Sequence, residues 1–315
     1  MWPMLRLIAE RRGMVRYMSV RPSSEIHVNT NPKKVTLGYL QSLKGRRDTA
    51  ITTLTAYDYP TGRQCEVGGI DICLVGDSLA QVCLGYDSTT RLTLDEMIHH
   101  AKAVSRAAKR PFLVADMPFG TYLESKEKTI SNAIRLIREA GMESLKLEGG
   151  EEIKDTVYEL TRVGIPIMAH IGLLPQRHVA LSGYKVQGRD ASSAVKLFRA
   201  AKELQDAGAW GIVLEAVPHR LAAYITQRLH IPTIGIGAGR ECDGQVLVWD
   251  DAMGLWAGHQ ARFVRQFAQL GHEASRGVTE YINAVRHRSF PDPIQESYEI
   301  EDTQWTEFLN TVDLD

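Results

Sequence analysis

Cysteine is scarce and irregularly placed: the 315-residue chain has four, Cys65, Cys73, Cys83 and Cys242. None forms a Cys-x-x-Cys pair, so neither a zinc site nor the disulfide framework of a small secreted domain is expected, and a reducing compartment is the default. An excess of one charge is also lacking. With 37 basic against 38 acidic residues, the formal net charge is -1. No basic stripe interleaved with aromatics stands out, so nucleic acid is not an expected partner. No run of about 18 uninterrupted apolar residues occurs, which leaves no candidate membrane-spanning helix. Low-complexity tracts are missing as well.

The charge balance breaks at the start of the chain. Arg6, Arg11, Arg12, Arg16 and Arg21 face a single acid, Glu10, with Leu5, Leu7 and Ile8 between them. That composition reads as a mitochondrial presequence, with cleavage near Arg16-Tyr17-Met18-Ser19; the alternative is the basic N-terminus of a cytoplasmic protein. Residues 1–34 are therefore set apart from the fold. Residues 35–288 are expected to form one catalytic domain, and residues 289–315, with Pro291, Pro293 and many acids, an extended or partly disordered acidic tail.

From Thr49 onward, short apolar runs alternate with longer segments of helical period, the pattern of parallel βα units. Strands are expected at 50–56, 72–75, 112–116, 144–148, 165–170, 212–215, 233–236 and 246–249. Between them, Thr93 with Glu96 makes a capping box, and Ser125 and Asp190 are further caps. In the helix after Ser125, Ile130, Ala133, Ile134 and Ile137 are expected to face inward. Eight strands without a long structureless linker favour a (β/α)8 TIM barrel, which needs about 250 residues, over a doubly wound sheet. Val264, Phe267, Leu270, Val278, Ile282 and Val285 suggest extra C-terminal helices.

Four of these apolar strands finish in an acid: Asp77 just beyond Ile72-Val75, then Asp116, Glu148 and Glu215. The C-terminal ends of barrel strands converge on one face, so the acids should share a site there. Asp77, Asp116 and Glu148 follow neighbouring strands two, three and four. Hard oxygen ligands without His or Cys favour Mg2+, with Mn2+ as the alternative. Each acid could instead merely cap a following helix. Lys146 lies two residues before Glu148 and so shares its face; among carboxylates it must pair with them or with an anionic substrate. His170, ending strand five, is either a substrate contact or a satisfied core histidine. Two loops look functional: Gly183-Tyr184-Lys185-Val186-Gln187-Gly188-Arg189 has the glycines and cations of a lid, and Gly235-Ile236-Gly237-Ala238-Gly239 allows close backbone packing near a ligand.

Taken together, VGDSL (75–79), GYDST (85–89), ADMPF (115–119), KLEGG (146–150), AHIGLLPQ (169–176), SGYKVQGR (182–189), LEAVP (214–218) and IGIGAG (234–239) resemble the ketopantoate hydroxymethyltransferase family over about Val35 to Phe267. The resemblance implies a (β/α)8 barrel that moves a one-carbon unit from 5,10-methylenetetrahydrofolate to 3-methyl-2-oxobutanoate, giving ketopantoate for pantothenate synthesis. It implies Asp77, Asp116 and Glu148 as the magnesium site, Ser78 and Lys146 as contacts of the 2-oxo acid and Glu215 as the general base; Asp77, Asp116 and His170 are the further candidates for the substrate side. It also implies a homo-oligomer. Ala80 and Ala216 depart from the family's usual glycine and cysteine at those places. The start and the tail lie outside the resemblance and suggest a eukaryotic member. A magnesium-dependent lyase or mutase of the isocitrate lyase and phosphoenolpyruvate mutase kind remains a rival, although its Lys-Lys-Cys-Gly-His loop is missing. A catalytically silent binding barrel is the other.

Overall fold

The structure, a computed structural model, describes residues 33–180 and 182–312. The presequence-like start lies outside the described residues. Eight strands, β1 (Ile51–Thr55), β2 (Ile72–Val75), β3 (Phe112–Asp116), β4 (Ser144–Glu148), β5 (Ile167–Gly172), β6 (Gly211–Glu215), β7 (Thr233–Ile236) and β8 (Gly244–Leu247), close in chain order into an all-parallel barrel. Helices α1 (Leu37–Ser42), α2 (Tyr59–Gly68), α3 (Leu79–Val82), α4 (Leu94–Ala107), α5 (Lys126–Arg138), α6 (Lys154–Arg162), α7 (Ala191–Asp206), α8 (His219–Arg228), α9 (Trp249–Met253), α10 (Leu270–Arg286) and α11 (Asp302–Thr311) lie before, between and after the strands.

The expected caps are formed. Thr93 Oγ1 accepts from the Glu96 N–H at 3.2 Å while Glu96 Oε2 accepts from the Thr93 N–H at 2.8 Å. Ser125 and Asp190 accept from the third residue on in the same way. These start α4, α5 and α7 at fixed points.

Two apolar layers result. One lies between barrel and helices, with Met97, Ala101, Val104, Leu136, Val157, Leu160 and Ile225 against the outward residues of the strands. The other fills the barrel itself: Ile72, Leu74, Phe112, Val114, Met168, Trp210, Val213, Ile234 and Val246, stoppered by Leu40 of α1 and by Leu43, which caps it. Trp210 donates its indole N–H to Ser144 Oγ at 2.8 Å and packs edge-on against Phe112. The closed, apolar bottom leaves the other end as the place where polar side chains can gather.

Four local expectations are corrected. The last strand is Gly244–Leu247, and Val248 and Trp249 belong to the start of α9. On α5 the buried stripe is Thr129, Asn132, Ala133 and Leu136, and Ile134 is exposed. A hydrogen bond from the Asn132 amide to Thr121 O turns that polar residue inward and rotates the face away from the apolar pattern. Val264 and Phe267 precede α10 rather than forming a helix, since the Phe267 N–H is taken by Ala252 O. Within the acidic tail, the stretch expected to be extended holds α11, whose Trp305 and Phe308 stack 5.2 Å apart.

Candidate active site

Strand register decides which polar residues meet. Asp116 on β3 stands opposite Lys146 on β4, Glu148 opposite His170 on β5, and Gly172 opposite Glu215 on β6. Because alternate residues of a strand share a face, these positions point into the top of the barrel as one belt. Asp77 joins from the turn after β2. Asp77, Asp116, Lys146, Glu148 and His170 are all buried, while Ser78 and Glu215 are partly open to a pocket they line together. All seven residues singled out in the sequence therefore gather in one place.

Lys146 is the centre of the belt. Its Nζ lies 2.7 Å from Asp116 Oδ1, 3.9 Å from Glu148 Oε1 and 3.3 Å from His170 Nδ1. An ammonium can only donate, so His170 Nδ1 is the acceptor and the neutral ring carries its proton on Nε2. Burial, followed by the Lys146 charge, pushes the His170 pKa down and favours that neutral form. Nε2 then faces Glu215 Oε2 at 3.3 Å, a close contact short of hydrogen-bond geometry.

The acids are each held at one oxygen by a neutral N–H group. Asp116 Oδ2 accepts from the Asp77 N–H at 2.9 Å, Asp77 Oδ2 from the Gln176 side-chain amide at 2.9 Å, and Glu148 Oε2 from the Gln176 backbone N–H at 3.0 Å. The other oxygens of Asp116 and Glu148 are buried without a hydrogen-bond partner; the Asp116 contact with Lys146 is an ion pair off the hydrogen-bond angle. Three ionised carboxylates and one ammonium leave two negative charges uncompensated in a space shielded from water. Protons relieve the strain in part: burial, then the charge of Asp116, pushes Asp77 up to about 7, and burial with Asp77 lifts Glu148 well above the usual carboxylate range. Burial works against the Lys146 ammonium, yet Asp116, Glu148 and Asp77 outweigh it and raise its pKa.

A sign follows for the protein without added metal. Asp77 holds a proton in the folded state between its ordinary 3.8 and about 7, where the unfolded chain has released it. Its contribution to stability is complete at low pH and is lost as pH rises through that window. Urea unfolding in chelator should therefore show wild type losing stability relative to Asp77→Asn as pH rises from about 4 to about 7, and no further above that. Parallel profiles would show that Asp77 is ionised throughout.

The donor set suits a hard divalent cation. Partnerless buried carboxylate oxygens and an excess of two negative charges are what such an ion neutralises. Among the described residues no three His, Cys, Asp or Glu side chains stand close enough together to form a finished metal cage, because the Lys146 ammonium sits between Asp116 and Glu148. The site fits the ion in charge and chemistry.

Glu215 is set by the backbone behind it. Gly172 has φ +98°, and a Cβ there would lie 2.2 Å from the Glu215 carbonyl oxygen, which also accepts from the Leu173 N–H at 2.8 Å. Ala216, next in the chain, is held at φ +48°, a conformation costly for a residue with a side chain. Gly172→Ala should thus move Glu215 as well as strain β5. We expect a lowered melting temperature and a turnover loss of about 100-fold, since misplacement by about 1 Å has that scale of effect. A melting curve and rate equal to wild type would contradict the placement.

The two loops divide. Tyr184 lines the pocket and stacks on His178 at 5.6 Å, whereas Lys185 and Arg189 are exposed and take no part in the lining. The cations expected of a lid are therefore elsewhere, and the loop offers an aromatic ring. In the glycine run, a Cβ on Gly237 would fall 2.6 Å from the Phe263 ring, which itself lines the pocket, so the run packs backbone behind the site. Sequence reasoning missed Phe263, Asp251 and above all Gln176, which had appeared only as the last letter of a motif. No local pattern marks a glutamine as a clasp for acids far away in sequence.

Comparison with known proteins gives the family and the fold. The chain is 51% identical over 242 residues to 3-methyl-2-oxobutanoate hydroxymethyltransferase of Thermoanaerobacter sp. (strain X514), covering 77% of this chain and 88% of that one. It is 46% identical over 284 residues to the enzyme of that name from Oleidesulfovibrio alaskensis, covering 89% and 97%. Among solved structures, 2,3-dimethylmalate lyase, a PEP mutase/isocitrate lyase superfamily member, matches with a TM-score of 0.52 at 16% identity over 89% of this chain and 96% of that one. A phosphonopyruvate hydrolase solved with oxalate and Mg++ matches with a TM-score of 0.54 at 11% identity, covering 87% and 96%. Likeness at such identity shows a shared barrel fold. The sequence model of ketopantoate hydroxymethyltransferase matches residues 34–293, and with relatives near 50% identity this chain belongs to that family.

Proposed function

We propose that the chain transfers a hydroxymethyl group from 5,10-methylenetetrahydrofolate to 3-methyl-2-oxobutanoate, yielding ketopantoate and tetrahydrofolate, with Mg2+ held by Asp77, Asp116 and Glu148. The observation that carries this reading is the division of the pocket. One side has the buried acids around Lys146 with their partnerless oxygens; across His170 stands Glu215, tied to none of them by a hydrogen bond. A bound divalent cation supplies Lewis-acid polarisation of the 2-oxo acid.

The chain's own residues do the rest. Lys146 and the Ser78 hydroxyl, which makes no capping bond to α3, face the anionic substrate. Glu215 takes the C3 proton, and the neutral His170 beside it leaves its carboxylate form uncancelled by a positive charge. The carbon nucleophile so formed bonds to the methylene carbon of the folate as one of its two C–N bonds breaks. Water then takes the place of the second nitrogen, leaving its oxygen as the hydroxyl group, and the protons from C3 and from water go to the two freed nitrogens of tetrahydrofolate. The apolar wall of Ile236, Leu247 and Val248 with Phe263 keeps water from the carbanionic stage.

The deciding assay follows product by NMR with the 2-oxo acid, the folate and Mg2+, beside a chelated control. Ketopantoate formed only with both folate and Mg2+ is the expected result. Turnover of the oxo acid without folate would favour the lyase or mutase rival. We also infer a eukaryotic, mitochondrial setting for the full chain from its arginine-rich start, with homo-oligomeric assembly. Import of a reporter fused to residues 1–34 and the mass in solution test these.

A further inference from the structure

Gln176 is buried and directs all three of its N–H donors to the site. Its side-chain Nε2 donates to Asp77 Oδ2 at 2.9 Å and to Met117 O at 3.0 Å. Its Oε1 accepts from the Tyr122 hydroxyl at 2.7 Å, and its backbone N–H donates to Glu148 Oε2 at 3.0 Å. The amide orientation is fixed, because a carboxylate and a carbonyl can only accept and so must face the NH2 end. Tyr122 OH lies also 3.1 Å from Glu148 O, and with one proton it locks the outer edge of this clasp.

We infer that Gln176 is a positioning residue for the cation: it pins the outer oxygen of Asp77 and of Glu148, so that their remaining oxygens stay aimed into the pocket. The inference rests on the metal reading above. A neutral donor is suited to the task. An Arg or Lys here would cancel one of the two uncompensated charges, whereas an amide stabilises the ionised acid without reducing its pull on a divalent ion. Position matters as well. Gln176 sits in the short turn Pro175–Arg177 directly after β5, at the root of the loop that brings Tyr184 over the pocket. The same residue thus ties the turn at the root of that loop to the acids.

The test uses Mn2+ alone as probe, titrated into the full chain by calorimetry or by the loss of its free spin-resonance signal. Gln176→Leu removes both side-chain donors, and Tyr122→Phe removes only the lock, whose hydroxyl reaches Gln176 Oε1 and the Glu148 backbone carbonyl but no carboxylate. Loss of a partner of this kind typically weakens metal binding about 10- to 100-fold. We expect that loss for Gln176→Leu and a smaller one for Tyr122→Phe, with turnover recovering as Mn2+ is raised to saturation. Recovery at saturation is what a merely structural role would not give. If Gln176→Leu fails to fold, Tyr122→Phe decides alone. Wild-type affinity in a folded variant overturns the inference; an absence of Mn2+ binding by wild type overturns the metal reading with it.

Discussion

Glu215→Gln should lower turnover by about three orders of magnitude while leaving the fold and 2-oxo acid binding intact. The size follows from the general-base contribution, which is commonly 10²- to 10⁴-fold. The selectivity follows from the site. Glu215 is partly open, its side chain makes no hydrogen bond, and its contact with His170 Nε2 is one an amide oxygen can also make. The glutamine has the same shape but no place for the proton. Its backbone seat, set by Gly172 and the Leu173 N–H, is unchanged. Kinetics should show kcat falling with little change in KM for the oxo acid. A variant that keeps a tenth or more of wild-type turnover would move the base elsewhere in the pocket.

Lys146→Met should be the most destabilising of the pocket substitutions. Among the described residues the ammonium is the one cation paired with the three buried acids, 2.7 Å from Asp116 and 3.9 Å from Glu148, and it also donates toward His170. Removing one partner from a buried ionic group typically costs about 3–5 kcal/mol. Protonation of Asp77 and Glu148, both already raised, cushions that loss at low pH. The destabilisation should accordingly be greatest above pH 7 in chelator and should shrink when Mg2+ is added, since the ion replaces the missing positive charge. Turnover should stay low even then, because the oxo acid loses its counter-charge. Equal urea midpoints for wild type and Lys146→Met at pH 8 in chelator would mean that the acids are not ionised there.

Much of this site could be read from the sequence because its residues end strands. Asp116, Glu148 and Glu215 each close an apolar run, and period two places Lys146 beside Glu148 without any knowledge of the fold. The eight-strand count likewise rests on repeated apolar runs between capped helices, and Thr93 with Glu96 or Asp190 marks a start without tertiary help. What escaped is what depends on contacts between distant segments. Gln176 and Asp77 are 99 positions apart, and only barrel closure brings the turn after β5 over the turn after β2. Asn132 turns a helix face that its apolar residues alone describe wrongly. The lid loop shows the same limit: composition suggested its cations, and packing on His178 selected its tyrosine.

The central claim is that this pocket removes the C3 proton of a 2-oxo acid with Glu215 while a divalent cation holds the charge. It is tested most directly by following 3-methyl-2-oxobutanoate by NMR in heavy water with the protein and Mg2+, in the absence of folate. The account predicts loss of the C3 proton signal at a rate abolished by chelator and by Glu215→Gln, and ketopantoate on adding the folate. Exchange that proceeds undiminished in Glu215→Gln, or that wild type fails to catalyse with Mg2+ present, would contradict it.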